Sequence, residues 1–222
     1  MEPLLRIEGL SVMLAPGLSP VRGVDLSIAR GECLGLVGES GSGKSMLALS
    51  LLRLLPRGAQ LGGRVFFDGR DIAALPAEAL PALRGRRIAM VFQEPMAALN
   101  PLMRVGMQVA EPLRHHLGLS ARAAARRAEE LLAQVGIPDP ARRAASWPHE
   151  LSGGMRQRVT IAIALACGPD LLIADEPTTA LDATIQAQIV SLLRRLRREL
   201  GLSMLLITHD LGVVAGMADR VA

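Results

Sequence analysis

Residues 38–45 read GESGSGKS, and the flanks of this stretch constrain the fold as much as the stretch itself. ECLGLVG (32–38) has the pattern of a short apolar strand, and MLALSLLRLL, after the loop, has that of an apolar helix running to Pro56. Strand, glycine-rich loop, helix is the setting in which G-x-x-x-x-G-K-[ST] cradles phosphates. The glycines let backbone N–H groups approach and point at the anion. The expected binding set is Gly38, Glu39, Ser40, Gly41, Ser42, Gly43, Lys44, Ser45 and Met46. Lys44 is expected to reach the β- and γ-phosphates, and the Ser45 hydroxyl to ligate Mg²⁺.

Of the 25 basic residues in this 222-residue chain, 24 are arginine and one is lysine, Lys44. Arginine serves wherever a surface cation is wanted; the compact ammonium appears only inside the phosphate loop, where a planar fork is no substitute. The arginines cluster at Arg126-Arg127, Arg142-Arg143 and 194–198, but with three Phe, one Trp and no Tyr there is little for bases to stack on. These clusters read as solvated helix faces and not as a nucleic-acid surface. Half the residues are apolar, enough for a large core. The length suits one domain, or one domain with an inserted lobe. The first residues lack a basic stretch leading into an apolar one, so no signal peptide is expected, and no uncharged apolar run is long enough to span a bilayer. Cys33 and Cys167 lack metal-type spacing and read as two buried small side chains.

Along the chain, 4–14 and 21–29 read as strands joined by a Pro/Gly turn, 63–69 as an edge strand and 87–93 as a buried one. Residues 104–136 have helical spacing, and GIPDPARRAASWPHE (136–150) reads as loop. LLIADEP (171–177) and SMLLITHD (203–210) read as strands. Between them TIQAQIVSLLRRLRREL is an amphipathic helix with Ile185, Ile189, Leu192, Leu193 and Leu196 on one side, and LGVVAGMA closes as a helix. This alternation predicts an α/β fold with a mainly parallel sheet, an antiparallel N-terminal part and a helical lobe at about 95–165.

Strand ends carry the remaining chemistry. Four apolar residues deliver Asp175 to the C-terminal end of a strand, where α/β sheets bind ligands; Asp175 is the expected Mg²⁺ partner. Glu176 follows at once, placed to act on a water beyond the γ-phosphate as general base. Gln93 ends IAMVF and His209 ends MLLIT, so three strand ends with polar groups can face one phosphate loop.

A second anion cradle stands far downstream. LSGGMRQR (151–158) sets Ser-Gly-Gly at the start of the helical run VTIAIALA. Taken locally, Ser152 is an N-cap and the glycines a turn. GESGSGKS, Gln93, LSGGMRQR, LLIADEP, Ala180-Leu181-Asp182 and His209, in this order, resemble the nucleotide-binding subunit of an ABC transporter over essentially the whole chain. VFQEPMAALNP, SGGMRQRVTIAIALA, IADEPTTALD and LLITHDLGVVAGMADRVA resemble its oligopeptide/dipeptide/nickel importer subfamily.

The resemblance implies an ATPase that powers import, most simply of peptides, with ATP and Mg²⁺ bound at the phosphate loop. It implies a head-to-tail dimer with a similar or identical subunit, in which Ser152, Gly153 and Gly154 close over the partner's ATP. Asp182 would lie at the dimer seam, Gln93 would sense Mg²⁺ and signal to transmembrane permeases, and His209 would contact the γ-phosphate. A solute-binding protein would take part indirectly, and the chain would sit peripherally on the cytoplasmic face of the inner membrane. A groove beside the Gln93 loop, with Met96, Leu99 and Leu102 apolar and Ala97 and Ala98 small, would accept a permease helix.

In two places the sequence departs from this pattern. Where the family stacks an aromatic on adenine this chain has Leu14, which leaves the choice of base open. The family runs on past DRVA, so the C-terminal end of its domain is expected to be missing. Among rival readings, a non-transport ABC ATPase would need long insertions, a P-loop kinase would leave LSGG unexplained, and a switch without turnover has no use for both Glu176 and His209.

Overall fold

The computed structural model describes residues 2–94, 98–179 and 181–222. Strand β1 (Leu5–Met13) shows how the sequence sets its own register. Leu5 and Ile7 are buried, then Leu10 and Val12, so the inward face changes from odd to even positions. Gly9, at φ +57°, absorbs the change, and the pairings of β1 with both neighbours shift there. An extra residue in one strand is how a sheet keeps its apolar side inward across a break in alternation.

β1 lies between β2 (Val21–Ile28) and β4 (Gln60–Phe67), and β4 also pairs with the two-residue β5 (Arg70–Asp71), giving an antiparallel sheet of order β2-β1-β4-β5. The 63–69 segment is therefore not an edge strand. The second sheet is parallel, of order β6-β7-β8-β3-β9, from β3 (Cys33–Leu36), β6 (Ile88–Val91), β7 (Leu171–Asp175), β8 (Ser203–Ile207) and β9 (Arg220–Val221). Every residue of β7 and β8 is buried, as expected of parallel strands covered on both faces. The two faces have different cover. Leu171, Ile173, Leu205 and Ile207 share a core with the antiparallel sheet and α1 (Lys44–Leu51); Leu172, Ala174, Met204 and Leu206 share one with the helices.

Those helices are α2 (Val105–Leu117), α3 (Ala121–Gln134), α4 (Pro140–Ala144), α5 (Gly153–Leu165), α6 (Ala183–Leu200) and α7 (Leu211–Ala215). Gly118, at φ +66°, ends α2, and the Ser120 side chain caps α3. Two expectations change here. The helix after the phosphate loop stops well before Pro56: Arg53 turns left-handed at φ +51°, Leu54 N–H closes on Leu49 O at 2.9 Å, and Arg84 donates to the carbonyls of Leu52 and Arg53. That is a C-terminal cap in which a non-glycine residue fills the left-handed position and a distant guanidinium satisfies the freed carbonyls. The 136–150 segment is also not all loop; it contains α4, with Pro140 in its first turn, and a short 3₁₀ turn at Pro148–Glu150. Among the described residues no helix is long and apolar enough to cross a membrane.

Candidate active site

The parallel order brings the C-terminal ends of β3, β6, β7 and β8 to one edge of the sheet, with Asp175 paired to Ile207 in the register. The phosphate loop follows β3. Its glycines have steric reasons: Gly41 lies at φ +81° and Gly43 at +97°, and a β-carbon at Gly43 would stand 2.2 Å from the carbonyl oxygen of Pro20. Only glycine fits there. Lys44 is buried, and its Nζ donates to the carbonyls of Gly38 (2.8 Å) and Glu39 (2.7 Å) and to Ser42 Oγ (3.2 Å). The ammonium thus sits on the inner side of the loop.

Asp175, only 3% exposed, lies beside the Ser45 hydroxyl. Burial pushes its carboxyl up from the ordinary range; the Ser45 hydroxyl and the Lys44 charge pull it down, against repulsion from Glu176, and the net shift is upward. Its Oδ1 is buried without a partner. A buried carboxylate oxygen with no donor, beside a serine hydroxyl, fits a divalent cation such as Mg²⁺.

Glu176 is the hub of the strand ends. Its Oε2 accepts from Thr179 Oγ1 at 2.7 Å and Gln93 Nε2 at 3.2 Å, and its Oε1 lies 3.3 Å from His209 Nδ1. The backbone is left-handed at φ +45°, in a residue that precedes a proline, and is held there by Glu176 N–H to Ile207 O at 2.9 Å. Such conformations persist where the surroundings over-determine them, often at working sites. Burial raises the Glu176 carboxyl, but bonds from Thr179 and His209, with the charges of His209 and Lys44, outweigh it, and the group stands below its ordinary value. It is ionised at neutral pH. All three strand-end expectations meet here. Thr179 was missed by sequence reading; its only signal is the Thr-Thr pair following Glu-Pro.

The second cradle looks different. Ser152 caps α5, its Oγ accepting from Met155 N–H at 3.4 Å, and Asp182 caps α6, accepting from Ile185 N–H at 2.9 Å. The two helix starts pack together. A β-carbon at Gly154 would lie 2.6 Å from Ile185 Cγ2, so that glycine is required by the chain's own packing; at Gly153 the nearest atom among the described residues would be Leu181 Cδ2 at an ordinary 3.5 Å. The N-cap reading of Ser152 is therefore correct as far as it goes. Ala180 lies outside the described residues, as do Pro95, Met96 and Ala97 of the groove expected beside the Gln93 loop. Leu99, assigned to that groove, is instead buried in the helical core, whereas Leu102 is exposed.

The family model described as ABC transporter matches residues 21–179, which include both cradles, Gln93 and Glu176. The chain belongs to the ABC transporter family. Among curated ABC relatives, one from Brucella abortus, provisionally named a peptide import ATP-binding protein, is 54% identical over 99% of this chain and 68% of its own length. A second from the same organism, under the same provisional name, is 54% identical over 98% of this chain and 67% of its own. Of solved ABC structures, a dimeric ATP-binding cassette in a post-hydrolysis state with ADP and Pi superposes with TM-score 0.84 at 31% identity, covering 98% of this chain and 92% of that one. The cbiO1 protein of Clostridium perfringens, part of the ABC transporter complex cbiONQ, superposes with TM-score 0.84 at 29% identity, covering all of this chain and 84% of its own. The chain is thus an ABC-type ATPase, with the ABC ATPase fold.

Leu14 has no aromatic role to play in this ABC site. It is half-buried against the core under the antiparallel sheet, in a tight turn closed by Leu14 N–H to Leu18 O at 2.9 Å. The cysteines are not alike. Burial pushes the fully buried Cys33 thiol up to about 11, while Cys167 is only partly buried.

Proposed function

We propose that this chain is the ATP-hydrolysing subunit of an importer, most simply one for peptides, and that its catalytic carboxylate is Glu176. The observation that supports this best is the convergence of Gln93, Thr179 and His209 on one ionised carboxylate next to the Lys44 loop. In this reading Gly38–Met46 hold the triphosphate, with Lys44 neutralising the terminal phosphates. Ser45 and Asp175, with Gln93 nearby, hold Mg²⁺, which when bound draws charge from the phosphoryl oxygens. Glu176 takes the proton of the attacking water, and its depressed value keeps it ready to do so at neutral pH. His209 steadies Glu176 through Nδ1 and faces the γ-phosphate.

The Ser152–Gly154 cradle serves a different ATP, held by a partner subunit placed head to tail, with Asp182 at the seam. The start of a thirteen-residue helix supplies N–H groups and a positive dipole end for that phosphate. Gly153, which no contact among the described residues forces to be glycine, is the point of approach, and the dimeric assembly of the similar cassette supports the arrangement. Transmembrane permeases and a solute-binding protein complete the machine, with this subunit peripheral on the cytoplasmic side. The provisional names of the curated relatives support peptides as cargo.

The test is Glu176→Gln. ATP should still bind and turnover should nearly vanish, with an ATP-bound dimer accumulating on gel filtration. Hydrolysis within a few-fold of wild type would remove Glu176 from the role. For cargo, the subunit reconstituted with its permeases should hydrolyse faster when a peptide-loaded binding protein is added; no response to any peptide would refute that assignment.

A further inference from the structure

The base of the nucleotide has no aromatic platform here, and the wall next to the phosphate loop carries something else. A cavity of about 540 Å³ opens beside the loop, lined on one side by Gly41, Ser42 and Lys44 and on the other by Pro20, Val21 and Arg22 at the start of β2. None of the chain's three Phe residues and its one Trp lines it, and neither does Leu14. The volume lies within the about 300–1,000 Å³ usual for small-molecule sites. The two walls are locked together, because the Pro20 carbonyl occupies the space a side chain at Gly43 would need. Arg22 is exposed, and its Nε donates to Ser19 O at 2.8 Å, which orients the guanidinium plane. Among the described residues it makes no ion pair.

We propose that Arg22 is the base-binding residue of this site, stacking its guanidinium plane on the purine of the nucleoside triphosphate whose phosphates the loop holds. This rests on the nucleotide-binding reading above. A guanidinium is planar, weakly hydrated and always charged, so it stacks on aromatic faces where an ammonium does so poorly. Both purines offer such a face, so ATP and GTP are held about equally.

Titration calorimetry of the whole chain with magnesium complexes of ATP, GTP and inorganic tripolyphosphate tests this. R22A should weaken ATP and GTP alike by about 3- to 30-fold while leaving tripolyphosphate unchanged. R22K, which keeps the charge and loses the plane, should restore little, and unchanged melting temperatures would show that both variants fold. The inference is overturned if R22A leaves ATP affinity intact, if tripolyphosphate weakens equally (a phosphate contact), if R22K restores binding fully, or if GTP is strongly favoured over ATP (edge-on hydrogen bonding). Wild-type chain that binds none of the three would overturn the nucleotide reading itself, and this inference with it.

Discussion

The two anion cradles sit at the starts of two helices, yet they are built in opposite ways. Around the first, one chain gathers a finished set of groups: Lys44 inside its loop, Asp175 with Ser45, and Glu176 held by Thr179, Gln93 and His209. Around the second, the polar side chains are spent at home. Ser152 caps α5, Asp182 caps α6, and Gly154 makes room for Ile185. The first has chemistry and one open oxygen, Asp175 Oδ1. The second has an exposed Gly153 at a helix start, and its carboxylate, Asp182, serves as a cap. The difference is what the proposed head-to-tail arrangement requires, in which the second cradle completes a partner's site and does not constitute one.

Changing charges in the first cradle should have the largest effect. Replacing Glu176 by Gln should cost turnover about 10²–10⁴-fold at saturating ATP, measured by phosphate release, with affinity nearly unchanged. Gly43→Ala forces a side chain onto the Pro20 carbonyl at a left-handed position. It should abolish nucleotide binding by calorimetry; retained binding would mean that the loop and the β2 start are not locked together.

Next come the paired glycines of the second cradle, which should separate folding from function. Gly154→Ala drives a methyl onto Ile185 and should destabilise the chain by about 1–3 kcal/mol in urea unfolding. Gly153→Ala, with ordinary room, should leave stability near wild type or slightly higher, since alanine is the better helix former, while ATP-dependent dimerisation on gel filtration is lost. Equal effects at both positions would erase the contrast. Thr179→Val removes one hydrogen bond to the Glu176 carboxylate and should slow turnover by about tenfold, the equivalent of about 1.4 kcal/mol. The smallest effect concerns Cys33. With its thiol value near 11 and no exposure, it should stay unlabelled by a thiol reagent at pH 8 until the chain is unfolded, and labelling of native protein would contradict its burial.

Much of this was readable beforehand because local pattern and long-range placement agree. Asp175, Glu176, Gln93 and His209 each end an apolar strand, and a parallel sheet must bring such ends to one edge. Of the helix face Ile185, Ile189, Leu192, Leu193 and Leu196, the last four are buried as their spacing predicts and Ile185 is half-buried against the same core. What escaped depended on contacts between segments distant in sequence. The early end of α1 needs Arg84, some thirty residues on. The inner place of β4 depends on a two-residue partner too short to leave a pattern. Leu99 could not be told from a groove residue, because its burial depends on the helical core assembled from later parts of the chain. The requirement at Gly154 is visible only once Ile185 is beside it.

The central claim, that the two cradles belong to different ATP sites, is tested most directly by mixing two inactive variants. Take one chain with Lys44→Ala and another with Ser152→Ala, and verify by gel filtration that they associate. If each site pairs one chain's phosphate loop with the other chain's Ser152–Gly154, a mixed dimer has one doubly broken site and one intact site. ATP hydrolysis should then reappear on mixing. If both cradles serve one ATP within a chain, every site in the mixture carries a defect. Hydrolysis absent from a mixture shown to contain mixed dimers would contradict the account.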